Sequence, residues 1–158
     1  MHLERMKQLV RVLVDISMDL QKTRAFCLED WIYVEDDDGA MYLNQLFEES
    51  EAKGESLTNV PHSCGTTACA AGYAGLDNWF RLEGFRTTAD GAIIYDKANS
   101  RKQGWDAISA FFELDMKLTK RIFDAEAYAP NNNGPVHVLG RMIEVIQAVD
   151  PTYLKDVK

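Results

Sequence analysis

The stretch of sequence that decides the fold is residues 61–75, Pro61-His62-Ser63-Cys64-Gly65-Thr66-Thr67-Ala68-Cys69-Ala70-Ala71-Gly72-Tyr73-Ala74-Gly75. It contains two of the three cysteines of the chain, and it carries no charged side chain after His62. Thr66 can cap a helix that runs from Thr67 to Ala74 and ends at Gly75. Because surface helices carry charges on their outer face, we expect this slim helix to be buried at the centre of the molecule.

The order Cys64-Gly65-Thr66-Thr67-Ala68-Cys69-Ala70-Ala71-Gly72-Tyr73-Ala74 resembles the motif Cys-Gly-Thr-x-x-Cys-x-Ala-Gly-x-Ala of a family of small proteins found in bacteria and their phages. Members of that family continue with a helix ending in Leu-Gly-Leu and a second helix ending in Leu-Phe. Here Leu114-Asp115-Met116 and Ile122-Phe123 stand at those places, with Asp115 in place of the middle glycine, so we expect that turn to differ. The resemblance covers residues 60–125; it implies an architecture and a phage-related origin, and it implies no particular activity.

Apolar periodicity predicts helices on both sides of this motif. Leu3 to Thr23 repeats apolar residues at spacings of three and four, and residues 39–53 and 135–149 do the same. Residues 99–113 and 116–127 also have helical patterns, with Asp115 as the cap of the second. Residues 76–82 are predicted to form a short turn or helix.

One β-hairpin is predicted at residues 85–95, because Asp90-Gly91 separates two runs typical of strands. Two strands alone are marginally stable, so the hairpin must lie on a helix or pair with residues 31–42. That segment has two interpretations: a second hairpin, or an irregular aromatic segment over the core. The fold class is therefore α+β and mainly helical, with five or six helices packed around the 67–74 helix.

Composition narrows the class of protein. The chain has 158 residues, which favours one domain over residues 1–150 and a tail over 151–158. The formal net charge is −8, so direct nucleic-acid binding is not expected. The sequence contains no run of eighteen apolar residues, so no membrane span is predicted. An odd number of cysteines in a chain of this size favours the reducing cytoplasm.

Cys64 is a candidate nucleophile, since a thiol just before a helix N-terminus gains thiolate character. His62 would be its base, and the amides of Gly65 and Thr66 would receive an oxyanion. A buried cysteine chosen for its size is the commoner explanation of such a residue. We therefore assign no catalytic residue and keep Cys64 and His62 as weak candidates.

A zinc site of His62, Cys64 and Cys69 is less favoured. On one helix, the five-residue spacing of the two cysteines would point their side chains about 140° apart. A paired Cys-x2-Cys element is also absent. The sequence implies no metal, no cofactor and no particular oligomeric state.

Gly65, Thr66 and Thr67 form a third candidate, an anion site made of helix N-terminal amides and two hydroxyls. Lysine and arginine are distant in sequence, and the pattern is not a phosphate-binding loop. The alternative is an ordinary, well-capped helix start.

Acidic residues suggest a partner surface. The run Glu35-Asp36-Asp37-Asp38 lacks the alternating acids and the final glutamate of a calcium loop, so it is interpreted as a solvated turn. With Glu48, Glu49 and Glu51 it would form an acidic face for a basic protein partner. Trp31, Tyr33, Trp79, Tyr95 and Trp105 are typical of a core, and would mark a partner site only if exposed together.

The sequence thus favours a non-enzymatic, cytoplasmic binding or regulatory protein, in keeping with a phage-encoded or phage-derived accessory factor. The alternative is a small enzyme or anion binder that uses Cys64, His62 and residues 65–67.

Overall fold

The computed structural model describes residues 1–29, 31–33, 37–54, 56–58, 67–88, 90–97, 100–130 and 132–154. Within those ranges the chain forms eight α-helices and two small antiparallel sheets, and the predicted α+β, mainly helical fold class is confirmed. There are more helices than the five or six expected, because one predicted helix is split and a short one follows the central helix.

The N-terminal helix is divided at Asp19 into α1 (Leu3–Met18) and α2 (Leu20–Arg24). Asp19 has extended backbone angles, and its carboxylate accepts hydrogen bonds from the amides of Gln21 and Lys22. The single helix predicted over Leu3–Thr23 is therefore wrong at this point, because a local cap replaces the continuing turn. As a consequence, two apolar residues of the predicted helix, Met18 and Leu20, are 82% and 66% exposed.

The segment before the central helix is extended. The strand β1 (Ile32–Tyr33) pairs antiparallel with β2 (Thr67–Ala68), with Ile32 opposite Ala68. On the other side of β2, the amide of Ala68 donates to the carbonyl of Ala25, and the amide of Cys27 donates to the carbonyl of Ala68. Ala68 is thus held between two chain segments, which keeps the chain extended up to Cys69.

The central helix α4 (Ala70–Leu76) begins three residues later than predicted. Cys69, and not Thr66, is its N-cap, and Asp77, and not Gly75, is its C-cap. All seven residues of α4 are buried, as the uncharged sequence predicts. A Cβ atom on Gly72 would lie 1.7 Å from the carbonyl oxygen of Trp31, and one on Gly75 would lie 2.1 Å from Oγ1 of Thr87, so backbone and side chain approach this helix closely on two sides.

The helix α3 (Asp37–Lys53) confirms the helical prediction for residues 39–53. It also contains Met41 and Tyr42, so the second hairpin considered for residues 31–42 is wrong. The other interpretation, an irregular aromatic segment over the core, is closer to the structure. The segment lies over the core through the buried Ile32, but it is not irregular throughout, because it contributes β1 to a sheet with β2.

The predicted hairpin is confirmed and gains a third strand. After α5 (Asn78–Leu82), β3 (Phe85–Thr87) pairs with β4 (Ile93–Lys97), which pairs in turn with β5 (Ser100–Gln103). The helix predicted from Asn99 instead begins at Gly104 as α6 (Gly104–Phe112). The sheet packs on α4 and α6, one of the two supports expected for it.

The remaining elements follow the sequence pattern. The helix α7 (Met116–Phe123) is capped by Asp115 as predicted, but it ends earlier than residue 127 and is followed by a 3-10 turn, Ala125–Ala127. The final helix, α8 (Pro135–Val149), packs along α1. At the centre is a cluster of buried aromatic side chains in mutual contact: Phe80, Phe85, Phe111, Phe112 and Phe123.

Candidate functional site

The start of α4 carries a structural thiol. Cys69 is 1% exposed, and its sulfur accepts a hydrogen bond of 3.4 Å from the amide of Gly72. Burial raises the pKa of the Cys69 thiol to about 11, so the thiol is protonated at neutral pH. Cys69 therefore caps the helix and is not a nucleophile.

Of the other two cysteines, only Cys27 is among the described residues. Cys27 is a free, partly buried thiol whose amide is bonded to the carbonyl of Ala68. Cys64 and His62 lie outside the described residues. The hypothesis that they form a nucleophile and base stays a prediction.

The predicted anion site is only partly described. Thr67 lies in β2, opposite Tyr33, and not in the first turn of a helix. Gly65 and Thr66 lie outside the described ranges. The first residues of α4 are themselves buried, and the carbonyl of Trp31 accepts a hydrogen bond of 3.3 Å from the amide of Cys69. The start of this helix is therefore occupied by the protein's own backbone.

No group of three or more His, Cys, Asp or Glu side chains that could hold a metal ion occurs among the described residues. His62 and Cys64 of the considered zinc set are not among them. Cys69 is held in its cap at the start of α4.

Five of the acidic residues predicted to contact a partner lie on α3, two at its start and three near its end. The prediction of a solvated turn over Glu35–Asp38 is wrong for Asp37 and Asp38, because they are the first residues of this helix. Asp37, Asp38, Glu48, Glu49 and Glu51 all belong to this helix, while Glu35 and Asp36 lie outside the described residues. Leu46 and Phe47 pack against the core, and the guanidinium of Arg81 lies 5.3 Å from the Phe47 ring centre. Glu48 and Glu49 are exposed, as is Met41, at 71%. We call Met41, Gln45, Glu48 and Glu49 the α3 surface.

Charge is distributed unevenly along the chain. Residues 29–55 contain ten acidic residues and one lysine, a formal charge of −9, so the rest of the chain is close to neutral. The acidity of the protein is therefore local, and α3 carries much of it.

The aromatic candidates do not form one surface. Tyr95 is buried, whereas Trp79 is 38% exposed on α5. Trp31 and Trp105 are partly buried and meet edge to face at 5.9 Å, and the Trp31 ring covers Gly104, where a Cβ atom would lie 2.8 Å from it. These contacts are mainly structural, as the sequence suggested. The side chain of Tyr33 is not among those described.

One cavity was not anticipated from the sequence. It has a volume of about 320 Å³ and lies between the three-stranded sheet and α6, lined by Tyr95, Lys97, Ser100, Lys102 and Ala110. The sequence pattern predicted a helix from residue 99, which would have separated these side chains. The alternation of Tyr95 and Lys97 within β4 was the only available clue to their shared face.

A second, more open cavity of about 410 Å³ lies beside α8 and is lined in part by Tyr128, His137 and Arg141. The Arg141 guanidinium stacks 3.6 Å from the Tyr128 ring centre and donates hydrogen bonds to the carbonyls of Arg121 and Ala127. Arg141 therefore joins α7 to α8, and its contacts are explained by the fold.

No family model, curated protein or solved structure matches the chain. None of the helices in the described ranges combines the length and apolarity needed to cross a membrane.

Proposed function

We propose that this protein is a non-enzymatic binding or regulatory protein of the cytoplasm, which acts on another protein through the α3 surface. The observation that carries the proposal is the division of α3 into two sides. One side packs on the core through Leu46 and Phe47, and the other presents Glu48 and Glu49 with the exposed Met41. An apolar side chain amid carboxylates suits a basic partner that also buries some apolar area.

The concentration of charge supports the same proposal. A chain whose whole negative excess lies in residues 29–55 has a directional field, which speeds the encounter with a basic surface. Acidic residues needed only for solubility have no reason to be gathered in one segment.

The resemblance of residues 60–125 to small bacterial and phage proteins makes a phage-encoded or phage-derived accessory role a reasonable setting. The free thiols of Cys27 and Cys69 are compatible with a reducing compartment. The alternative, an enzyme or anion binder that uses Cys64 and His62, stays a prediction, because no described contact favours it.

The test is affinity purification from the native host with three forms of the protein in parallel: wild type, Glu48→Lys/Glu49→Lys, and Glu113→Lys/Glu126→Lys. Both variants change the charge by the same amount at exposed glutamates that make no ion pair with the described residues. We expect a partner retained by the wild type and by the second variant, and lost with the first.

The purified partner then binds the wild type with an affinity that falls as salt rises, since the contact is electrostatic. Equal retention by all three forms contradicts the proposal. Loss in both variants also contradicts it, because total charge and not the α3 surface would then decide capture.

A further inference from the structure

The cavity between the sheet and α6 is built by strand register. Tyr95 lies opposite Lys102 and Lys97 lies opposite Ser100 in the antiparallel β4–β5 pair. Opposite residues in such a pair share a face, as do residues two apart on one strand, so all four side chains project from the same side of the sheet. This is the side on which the Tyr95 ring meets Phe111 of α6 edge to face at 5.1 Å.

Among the described residues, no acid pairs with either of the two lysines of the cavity. Neither Lys97 nor Lys102 makes an ion pair or hydrogen bond with any part of the chain that is described. The acid of β4, Asp96, belongs to the opposite face, where its carboxylate lies 2.9 Å from Nη2 of Arg86 and 3.8 Å from Nε of Arg101. The alternation of the strand thus separates a face on which Asp96 pairs with two arginines from a face whose two ammonium groups pair with no described acid.

Protection of a sheet edge does not account for this arrangement. Lysines commonly prevent unpaired edge strands from pairing with other chains. Lys102 lies on the edge strand β5, but Lys97 belongs to the central strand β4, and both side chains project from the side of the sheet against which α6 packs.

The other residues that line the cavity indicate which further groups a ligand would carry. The Tyr95 side chain is 4% exposed and contributes an aromatic wall, and Ala110 adds a methyl group. Ser100 adds a hydroxyl that makes no hydrogen bond to the described chain. Ligand sites in proteins are mostly apolar with a few convergent polar groups, and about 300 Å³ is the lower end of their usual volume.

We propose that this cavity binds a small organic phosphate, whose phosphate group lies between Lys97 and Lys102 with Ser100 as a further donor, and whose apolar part lies against Tyr95 and Ala110. Lysine binds phosphate as a point charge, and two lysines suit a dianion. This site is separate from the α3 surface, so it stands or falls independently of the proposed function.

The test uses phenyl phosphate as the probe, with inorganic phosphate and phenol as its two halves. Binding is measured by isothermal titration calorimetry at low ionic strength and by the shift in melting temperature. We expect phenyl phosphate to bind with a Kd of about 1 mM or tighter, and each half to bind at least about tenfold more weakly.

The variant Lys97→Gln/Lys102→Gln is expected to weaken phenyl phosphate binding at least about tenfold. Its control is Lys53→Gln/Lys117→Gln, which removes the same charge at exposed lysines outside the cavity and is expected to bind as the wild type does. Binding should also weaken below about pH 6, where a phosphate monoester loses its second charge.

Three outcomes overturn the proposal. The first is no binding of phenyl phosphate at tens of millimolar. The second is binding that the Lys97→Gln/Lys102→Gln variant retains. The third is equal binding of inorganic phosphate, because the aromatic wall would then contribute nothing.

Discussion

The hydroxyl of Thr87 donates a hydrogen bond of 3.1 Å to the carbonyl oxygen of Gly72, and so joins the first strand of the sheet to the middle of α4. Thr87 is 3% exposed, and its Oγ1 also occupies the space that a side chain on Gly75 would need. Gly72 and Gly75 make this approach possible, because neither has a side chain that would separate the strand from the helix backbone.

Replacing Thr87 with valine tests that contact. The variant keeps the volume but removes the donor, so we expect the free energy of unfolding to fall by about 1 kcal/mol, measured by urea denaturation. A stability equal to the wild type would show that the hydroxyl contributes nothing to the packing of the sheet on α4.

Arg5 offers a second test, of how α1 is joined to the core. Its guanidinium donates to the carbonyl of Phe111 at 2.7 Å, lies 4.2 Å from the centre of the Phe111 ring, and is 3.2 Å from the carboxylate of Glu83. The Arg5→Met variant leaves a buried carbonyl without its donor, and we expect a loss of about 2–3 kcal/mol in the free energy of unfolding.

The matched control is Arg11→Met, on the same helix, where the arginine is exposed and bonded to Gln8. This change is expected to alter stability by less than about 0.5 kcal/mol. Equal losses in the two variants would contradict a special role for Arg5.

Alkaline pH tests the burial of Cys69. The folded state holds the thiol proton up to about pH 11, against a usual pKa of 9.0, so the folded state binds more protons than the unfolded state between these values. The contribution of the Cys69 thiol to the free energy of unfolding is therefore fully present below pH 9. It decreases by about 2–3 kcal/mol as the pH rises toward 11.

Tyr128 and Tyr73 add to this loss above pH 10, because burial also raises the pKa of both phenols. The measurement is the free energy of unfolding at intervals from pH 8 to pH 10, for the wild type and for Cys69→Ala. We expect a steeper fall in the wild type, and parallel curves would show that the Cys69 thiol is open to water.

The sequence predicted the fold well wherever buried apolar residues recur at a regular spacing. The apolar positions of α1 and α8 and the Asp-Gly hairpin were read directly from their spacing. The division at Asp19 was missed because apolar residues continue at helical spacing beyond it, although an aspartate is itself a frequent cap.

The strand β5 could not be read from the sequence. All four of its residues are exposed and polar, so there is no alternation to detect, and it is specified by its pairing with β4. The lysine cavity was missed for the same reason, since its lining depends on a register between two strands of which one was interpreted as helix.

The start of the central helix was also misplaced, for a tertiary reason. Thr66 is a better intrinsic cap than Cys69, but the hydrogen bonds of Ala68 to neighbouring segments keep the chain extended through the position where a helix would otherwise begin. Of the predicted site residues, Glu48, Glu49 and Glu51 lie on the helix that the apolar period predicted, whereas Asp37 and Asp38, predicted to lie in a turn, are its first two residues.

The central claim is that α4 is packed so closely that no atom can be added to it. The most direct test compares the stability of the Gly72→Ala variant with that of Gly140→Ala. A Cβ atom at Gly72 would meet the carbonyl of Trp31, whereas a Cβ atom at Gly140, also within a helix, would have no atom of another described segment within 4 Å. We expect urea denaturation to show a loss of about 3 kcal/mol or a failure to fold for Gly72→Ala, and a gain of about 0.5–1 kcal/mol for Gly140→Ala. Equal or increased stability of Gly72→Ala would contradict the account.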